Sequence, residues 1–186
     1  MAITRLGPNT VNLTSAVTGT LPAANGGSGR TAVTGNVLQI VSATKTDTTS
    51  LTIGDTNFVD ISGLSLSITP ASTSSKIFVI ASVVYSMNND TYGTMLGLRL
   101  QRGSTALGAG GNSLSSTTIT GENESSTYAI ATVPIQFLDS PSSTSALTYK
   151  VTAKNWLGGD VTGIINGRKN GAAAGSSTIT AYEIAG

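Results

Sequence analysis

The side chains that most often perform catalysis are scarce in this sequence. Its 186 residues include no His and no Cys, so neither a Ser–His–Asp triad nor a Cys–His pair can form. The same absence removes the imidazole and thiolate ligands on which most zinc sites depend. Acid–base or metal chemistry would therefore have to come from the nine carboxylates.

Those carboxylates do not form a convincing catalytic pair. Glu122 and Glu124 stand closest along the chain, in the segment GENES. A glycosidase pair needs one carboxyl whose pKa is raised by its surroundings, and this polar loop offers no apolar pocket. No two Asp residues share a short loop, as a calcium site would require. We therefore expect no enzyme activity, no metal and no cofactor.

The glycine-rich segment LPAANGGSGR (Leu21–Arg30) is the one stretch that resembles a phosphate-binding loop. A P-loop follows a buried strand and ends in Lys–Ser/Thr at the start of a helix. Here no strand precedes the glycines, no helix pattern follows, and the residue after Gly29 is Arg30. The dinucleotide pattern GxGxxG also fails, because Ala32 stands where its third glycine belongs. A phosphate site is excluded, and a flexible joint remains.

The overall composition narrows the possible partners. Only 10% of the residues are charged and the net charge is +1, so neither nucleic acid nor an anionic membrane surface is an expected partner. No apolar run is long enough to span a bilayer. Ser, Thr and 22 Gly residues supply the polar surface instead. Such a surface tolerates close contact with neighbouring subunits or sugars.

Strands are the elements that would position any site. Apolar and polar residues alternate in LSLSI (64–68), MLGLRLQR (95–102) and LTYKVTAK (147–154), a period of two that is typical of strands with one wet face. The residues predicted to point inward are Leu64, Leu66, Ile68, Leu96, Leu98, Leu100, Leu147, Tyr149, Val151 and Ala153.

Two further segments, 76–85 and 128–138, are apolar on both faces. Such strands are covered on both sides, here by the opposite sheet and by either a neighbouring subunit or a loop. Pro134 lacks a backbone donor, so its strand is expected at a sheet edge or at a bulge.

Turn signals separate eight to ten short strands, and no helical period is sustained. The pattern predicts an all-β fold, an antiparallel β-sandwich of jelly-roll-like form, over residues 36–186. Residues 1–35 have too few apolar side chains to fold alone and are predicted to be an extended N-terminal arm, either disordered or ordered against a partner. Its scattered apolar anchors are Ile3, Leu6, Val11, Leu13 and Val17.

Two places qualify as speculative glycan contacts. Trp156 follows a predicted strand and precedes a tight turn, where an exposed indole would stack on a sugar and a covered one would seal the core or contact a subunit. Asp90 and Tyr92 lie in the loop MNNDTYG, which is either a polar binding tip or a plain turn.

The segment GTLPAANGGSG (19–29) resembles the LPxxNGGTG signature of virion surface proteins of tailed bacteriophages, with Ser28 in place of the usual Thr. The residues that carry this linker are Leu21, Pro22, Asn25, Gly26, Gly27 and Gly29. The following segments, among them VLQIVSATKTDT (37–48) and STITAYEIAG (177–186), are similar to a β-domain of cyanophage-like fibres and head decorations.

The resemblance implies a homotrimeric β-sandwich knob on the virion and brings no catalytic residue. Two roles follow: a capsid decoration (cement) protein held on the major capsid protein by its arm, and a short tail fibre or receptor-binding tip that joins a tail protein and touches host surface glycans. No shaft repeat is present, which favours decoration. The expected trimer interface contains Phe78, Ile80, Val84 and Ile130.

Overall fold

A computed structural model describes residues 34–88, 94–108, 112–119, 130–156, 158–168 and 175–186. Residues 35–186 form one compact unit, and the described part of it contains strands and no helix. In chain order the strands are β1 (Val37–Lys45), β2 (Thr49–Ile53), β3 (Val59–Ile68), β4 (Lys76–Asn88), β5 (Thr94–Arg102), β6 (Thr105–Ala106), β7 (Ser115–Ile119), β8 (Ala131–Asp139), β9 (Leu147–Asn155), β10 (Val161–Ile165) and β11 (Ser177–Ile184).

The strands form two antiparallel sheets, so the predicted β-sandwich is confirmed. Sheet I has the order β1-β11-β4-β10-β2, with β8 on the other edge of β4. Sheet II has the order β3-β9-β5-β6, and β7 also pairs with β5. Among the described residues β8 pairs only with β4, which confirms the edge position predicted from Pro134.

The core lies between the two sheets and is built by the predicted alternation. The side chains of Leu64, Leu66 and Ile68 on β3 are buried, as are those of Leu96, Leu98 and Leu100 on β5. Tyr149, Val151 and Ala153 lie between them on β9, and all three are buried. From sheet I the inner positions of β4 complete the core with Ile77, Val79, Ala81, Val83 and Tyr85.

Buried polar groups close a gap in the middle of sheet I. β11 pairs with β4 as far as Ser82, and β10 takes over at Tyr85 on the same edge. Between them the Val84 N–H donates to Ser177 Oγ at 2.9 Å, and the Val84 carbonyl accepts from the Asn166 N–H at 2.9 Å. A buried backbone group left without a partner would be costly, so these two residues allow β4 to continue without a break.

Asn166 can take this position because of its backbone and its amide. Its φ is +61°, a left-handed conformation that Asn adopts more readily than most residues. The amide nitrogen donates to the Lys45 carbonyl at 2.8 Å, and the amide oxygen accepts from the Ser177 hydroxyl at 2.6 Å. One buried side chain thus links β1, β10 and β11.

Candidate functional site

The outer face of sheet I carries an apolar row that crosses four strands. The strand register places Ile40, Tyr182, Phe78 and Leu138 side by side on β1, β11, β4 and β8, and we call these four residues the apolar row. The rings of Phe78 and Tyr182 lie 6.3 Å apart between centroids. Ile80 stands in the next row, between Thr180 and Gln136. The four rows across this face that begin at Val37, Ile40, Ser42 and Thr44 contain one charged residue, Lys76.

The aliphatic side chains of this surface are exposed in the isolated chain, whereas Phe78 and Tyr182 are half-buried. The exposed fraction is 59% for Ile40, 47% for Leu138 and 37% for Ile80. Fully burying one aliphatic side chain stabilises by about 1.5–3 kcal/mol, so covering the exposed part of each would contribute about 1 kcal/mol. Single exposed aliphatic residues are normal, but a contiguous uncharged patch marks an interaction surface.

The predicted interface residues occupy different parts of this surface. Phe78 lies in the apolar row and Ile80 beside it. Val84 is half-buried on the same face, and a Cβ on Gly175 would lie 2.7 Å from its side chain, so the chain's own segment covers it. Ile130 is exposed just before β8.

The outer face of sheet II has the opposite character, because charged side chains are concentrated there. The Lys150 ammonium is 2.8 Å from the Asp60 carboxylate. The Arg99 guanidinium lies 3.7 Å from the centroid of the Phe58 ring, and Lys154 Nζ lies 4.1 Å from that of Trp156. Cation–aromatic contacts at these distances hold long basic side chains in place.

Trp156 lies on this charged face. A Cβ on Gly97 would meet the indole nitrogen, so the indole rests directly on the backbone of β5. Its N–H donates to Ser113 Oγ at 2.7 Å, and Phe58 packs edge-on against it with 6.2 Å between ring centroids. The other two residues of the speculative glycan contact, Asp90 and Tyr92, lie outside the described residues.

The expected attachment anchors and linker also lie outside the described residues. They are Ile3, Leu6, Val11, Leu13 and Val17, and Leu21, Pro22, Asn25, Gly26, Gly27 and Gly29. They stay predictions.

Two carboxylates to which the sequence assigned no role, those of Asp139 and Glu183, form hydrogen bonds that link separate parts of the fold. Asp139 Oδ2 on β8 accepts a hydrogen bond from Tyr149 Oη at 2.7 Å and one from Arg102 Nη1 at 2.6 Å. Tyr149 is inaccessible to solvent, and burial and the Asp139 contact raise the pKa of its hydroxyl. Asp139 and Tyr149 are buried, and the cluster connects the edge of sheet I to sheet II.

Glu183 on β11 is also fully buried. Its two oxygens accept hydrogen bonds from the Gln39 amide at 2.6 Å and from the Ala71 N–H at 2.7 Å. Burial alone raises a carboxyl pKa, but these hydrogen bonds outweigh it and the pKa of Glu183 lies below its ordinary value. The charged form therefore fastens the β3–β4 connection to the sheet.

The structural roles of Asp139 and Glu183 were not visible in the sequence. Both residues follow the alternation of their strands and face inward, where a carboxylate is unexpected.

The described residues contain no group of His, Cys, Asp and Glu able to hold a metal ion. They also contain no helix long and apolar enough to cross a membrane.

The sequence matches no protein-family model and no curated protein. Solved structures with some likeness come from infectious bursal disease virus. One, the structure of the Gt strain, shares 15% identity over 80% of this chain and 38% of that chain, with a TM-score of 0.39. Another, the T13 viral particle, shares 13% identity over 81% and 36%, with a TM-score of 0.38. This chain thus spans less than two fifths of those chains, and likeness at this level establishes neither a family nor a function.

Proposed function

We propose that this chain is a non-enzymatic structural protein of a virion, a decoration protein that binds the capsid surface as a homotrimer. One observation carries the proposal: the two outer faces of the sandwich differ in kind. The outer face of sheet I presents the apolar row, and the four rows that begin at Val37, Ile40, Ser42 and Thr44 contain a single charged residue, Lys76. Four charged residues, Asp60, Arg99, Lys150 and Lys154, lie instead on the outer face of sheet II.

The occupant of the apolar row is a second copy of the chain. A face of aromatic, aliphatic and hydroxyl side chains has little charge to desolvate, so a neighbouring copy can cover it at low electrostatic cost. The contact is centred on Phe78 and Ile80, with Ile40 and Leu138 on either side. A closed ring of three copies follows if each buries this face against a different face of its neighbour.

The N-terminal residues 1–35 form the attachment arm in this proposal. Three arms on one trimer bind cooperatively, because the first bound arm holds the other two at high effective concentration near their sites. Individually weak contacts through Ile3, Leu6 and Val11 then add up to stable decoration. The resemblance of residues 19–29 to a virion linker supports this assignment.

Two experiments test the proposal. Gold-conjugated antibody against residues 36–186 is expected to label the whole head of intact virions in electron micrographs, and labelling confined to the tail tip would contradict decoration. Deletion of residues 2–30 is expected to leave a folded trimer that no longer sediments with heads. A truncated protein that still sediments with heads would refute the role of the arm.

A further inference from the structure

A shallow basin opens on the outer face of sheet II, and the bulge of β3 creates it. β3 advances from Asp60 to Ser65 while its partner β9 advances only from Thr152 to Lys150. The extra residues include Ser62 and Gly63, which are exposed, with Gly63 at a φ of +84°. The basin between this bulge and β9 has a volume of about 540 Å³, within the range of small-molecule sites.

About half of the surface that lines the basin is polar. Three hydroxyls, those of Ser62, Ser65 and Thr148, line it together with the ion pair of Asp60 and Lys150. Hydroxyls both donate and accept hydrogen bonds, and so do the hydroxyls of a sugar ring. An apolar ligand would leave these groups unpaired, which is costly. The basin therefore fits a sugar better than an apolar molecule.

The charge around the basin selects the kind of sugar. The described rows of this face contain three cations, Lys150, Lys154 and Arg99, against one carboxylate, Asp60. Lys150 and Lys154 lie four residues apart on β9, which corresponds to about 13 Å along a strand. This spacing suits the carboxylates of two sugar rings that are not adjacent on an extended chain. Aromatic contacts hold Arg99 and Lys154 in place, so little side-chain freedom is lost on binding.

We propose that this face binds an acidic polysaccharide, with one sugar ring in the basin, its carboxylate on Lys150, and the carboxylate of a ring further along the sugar chain on Lys154. The inference does not depend on the proposed virion role, since it uses only the residues of sheet II. It also differs from a site built around Trp156, whose indole N–H already bonds to Ser113.

The test is a titration of the full chain with an oligomannuronate, with a neutral malto-oligosaccharide of equal length as the comparison. We expect the acidic oligomer to bind about tenfold more tightly at low salt and to lose that advantage as salt is raised. Equal binding of the two oligomers, or binding of neither, would overturn the proposal.

Three variants locate the site, and a thermal melt of each verifies its fold. Lys150→Gln is expected to weaken oligomannuronate binding about fivefold, on the scale of one partly exposed ion pair. Lys76→Gln removes the same charge from sheet I and should change nothing. Asp60→Asn should tighten binding, because it removes the one carboxylate that repels the ligand. An equal loss in Lys76→Gln, or weaker binding in Asp60→Asn, would contradict a site at the basin.

Discussion

The hydrogen bonds that Asp139 accepts across the two sheets lead to a quantitative prediction for the free energy of unfolding. Replacing Asp139 with Asn keeps the size of the side chain but removes its charge. The oxygen that accepts hydrogen bonds from both Tyr149 and Arg102 becomes a weaker acceptor.

The expected magnitude follows from the burial of the partners. A hydrogen bond to a charged group contributes about 1.5–3 kcal/mol. Tyr149 is fully buried, so water cannot replace its partner. The Arg102 side chain is 26% exposed, so water replaces part of its interaction. We therefore expect Asp139→Asn to lower the free energy of unfolding by about 2–3 kcal/mol, and Tyr149→Phe by about 1–1.5 kcal/mol.

Urea unfolding followed by far-ultraviolet circular dichroism measures both variants and the double variant. The protein concentration must be the same throughout, because association stabilises the folded state. The double variant should lose less than the sum of the single losses, since the two residues share one hydrogen bond. Asp160→Asn, at an exposed carboxylate, is the matched control. If Asp139→Asn lowered the free energy of unfolding by less than about 0.5 kcal/mol, the scale of ordinary surface substitutions, Asp139 would not link the two sheets as described.

Three more predictions concern single positions. Because the folded pKa of Glu183 is depressed, the stabilisation that its charged form provides is present above its ordinary pKa of 4.5 and is lost as the pH falls through the folded value. In Glu183→Gln, the melting temperature measured at several pH values should therefore fall less steeply towards acid pH. Ser177→Ala leaves the buried Val84 N–H without its acceptor and should lower the free energy of unfolding by about 1–3 kcal/mol in urea titrations. Gly97→Ala places a methyl group against the indole of Trp156; unfolding free energy should fall by about 1–3 kcal/mol, and an unchanged tryptophan emission spectrum would contradict the described packing.

Alternation predicted the fold well wherever a strand has one apolar face. The inward residues of the LSLSI and MLGLRLQR segments lie in the core, and Pro134 marks the edge strand β8. The strands β2 and β7 were missed because TSLTI and SSTTI are mostly hydroxyl residues, which resemble loop sequence. LSLSI proves to be part of a longer strand, β3, which alternation did not reveal because a bulge breaks the period of two.

The buried polar positions were not predictable for a different reason. Asp139, Glu183 and Asn166 acquire their roles from partners far away in the chain, such as Tyr149, Gln39 and Lys45. No local pattern marks such pairs. The apolar residues on both faces of β4 were visible in the sequence, and they predicted that its outer face is covered by another surface. The sequence did not show that strand register places Phe78 beside Ile40 and Leu138, because that alignment depends on pairing with distant strands.

The oligomeric state tests the central proposal, association through the outer face of sheet I, most directly. Sedimentation equilibrium of the full chain is expected to give three times the 18.7 kDa monomer mass. Ile40→Glu places a charge in the apolar row, at a side chain exposed enough to leave the fold intact, and should sediment as a monomer. Ser62→Glu, on the outer face of sheet II, should remain a trimer. A monomeric wild-type protein, or an Ile40→Glu variant that stays trimeric, would contradict the proposal.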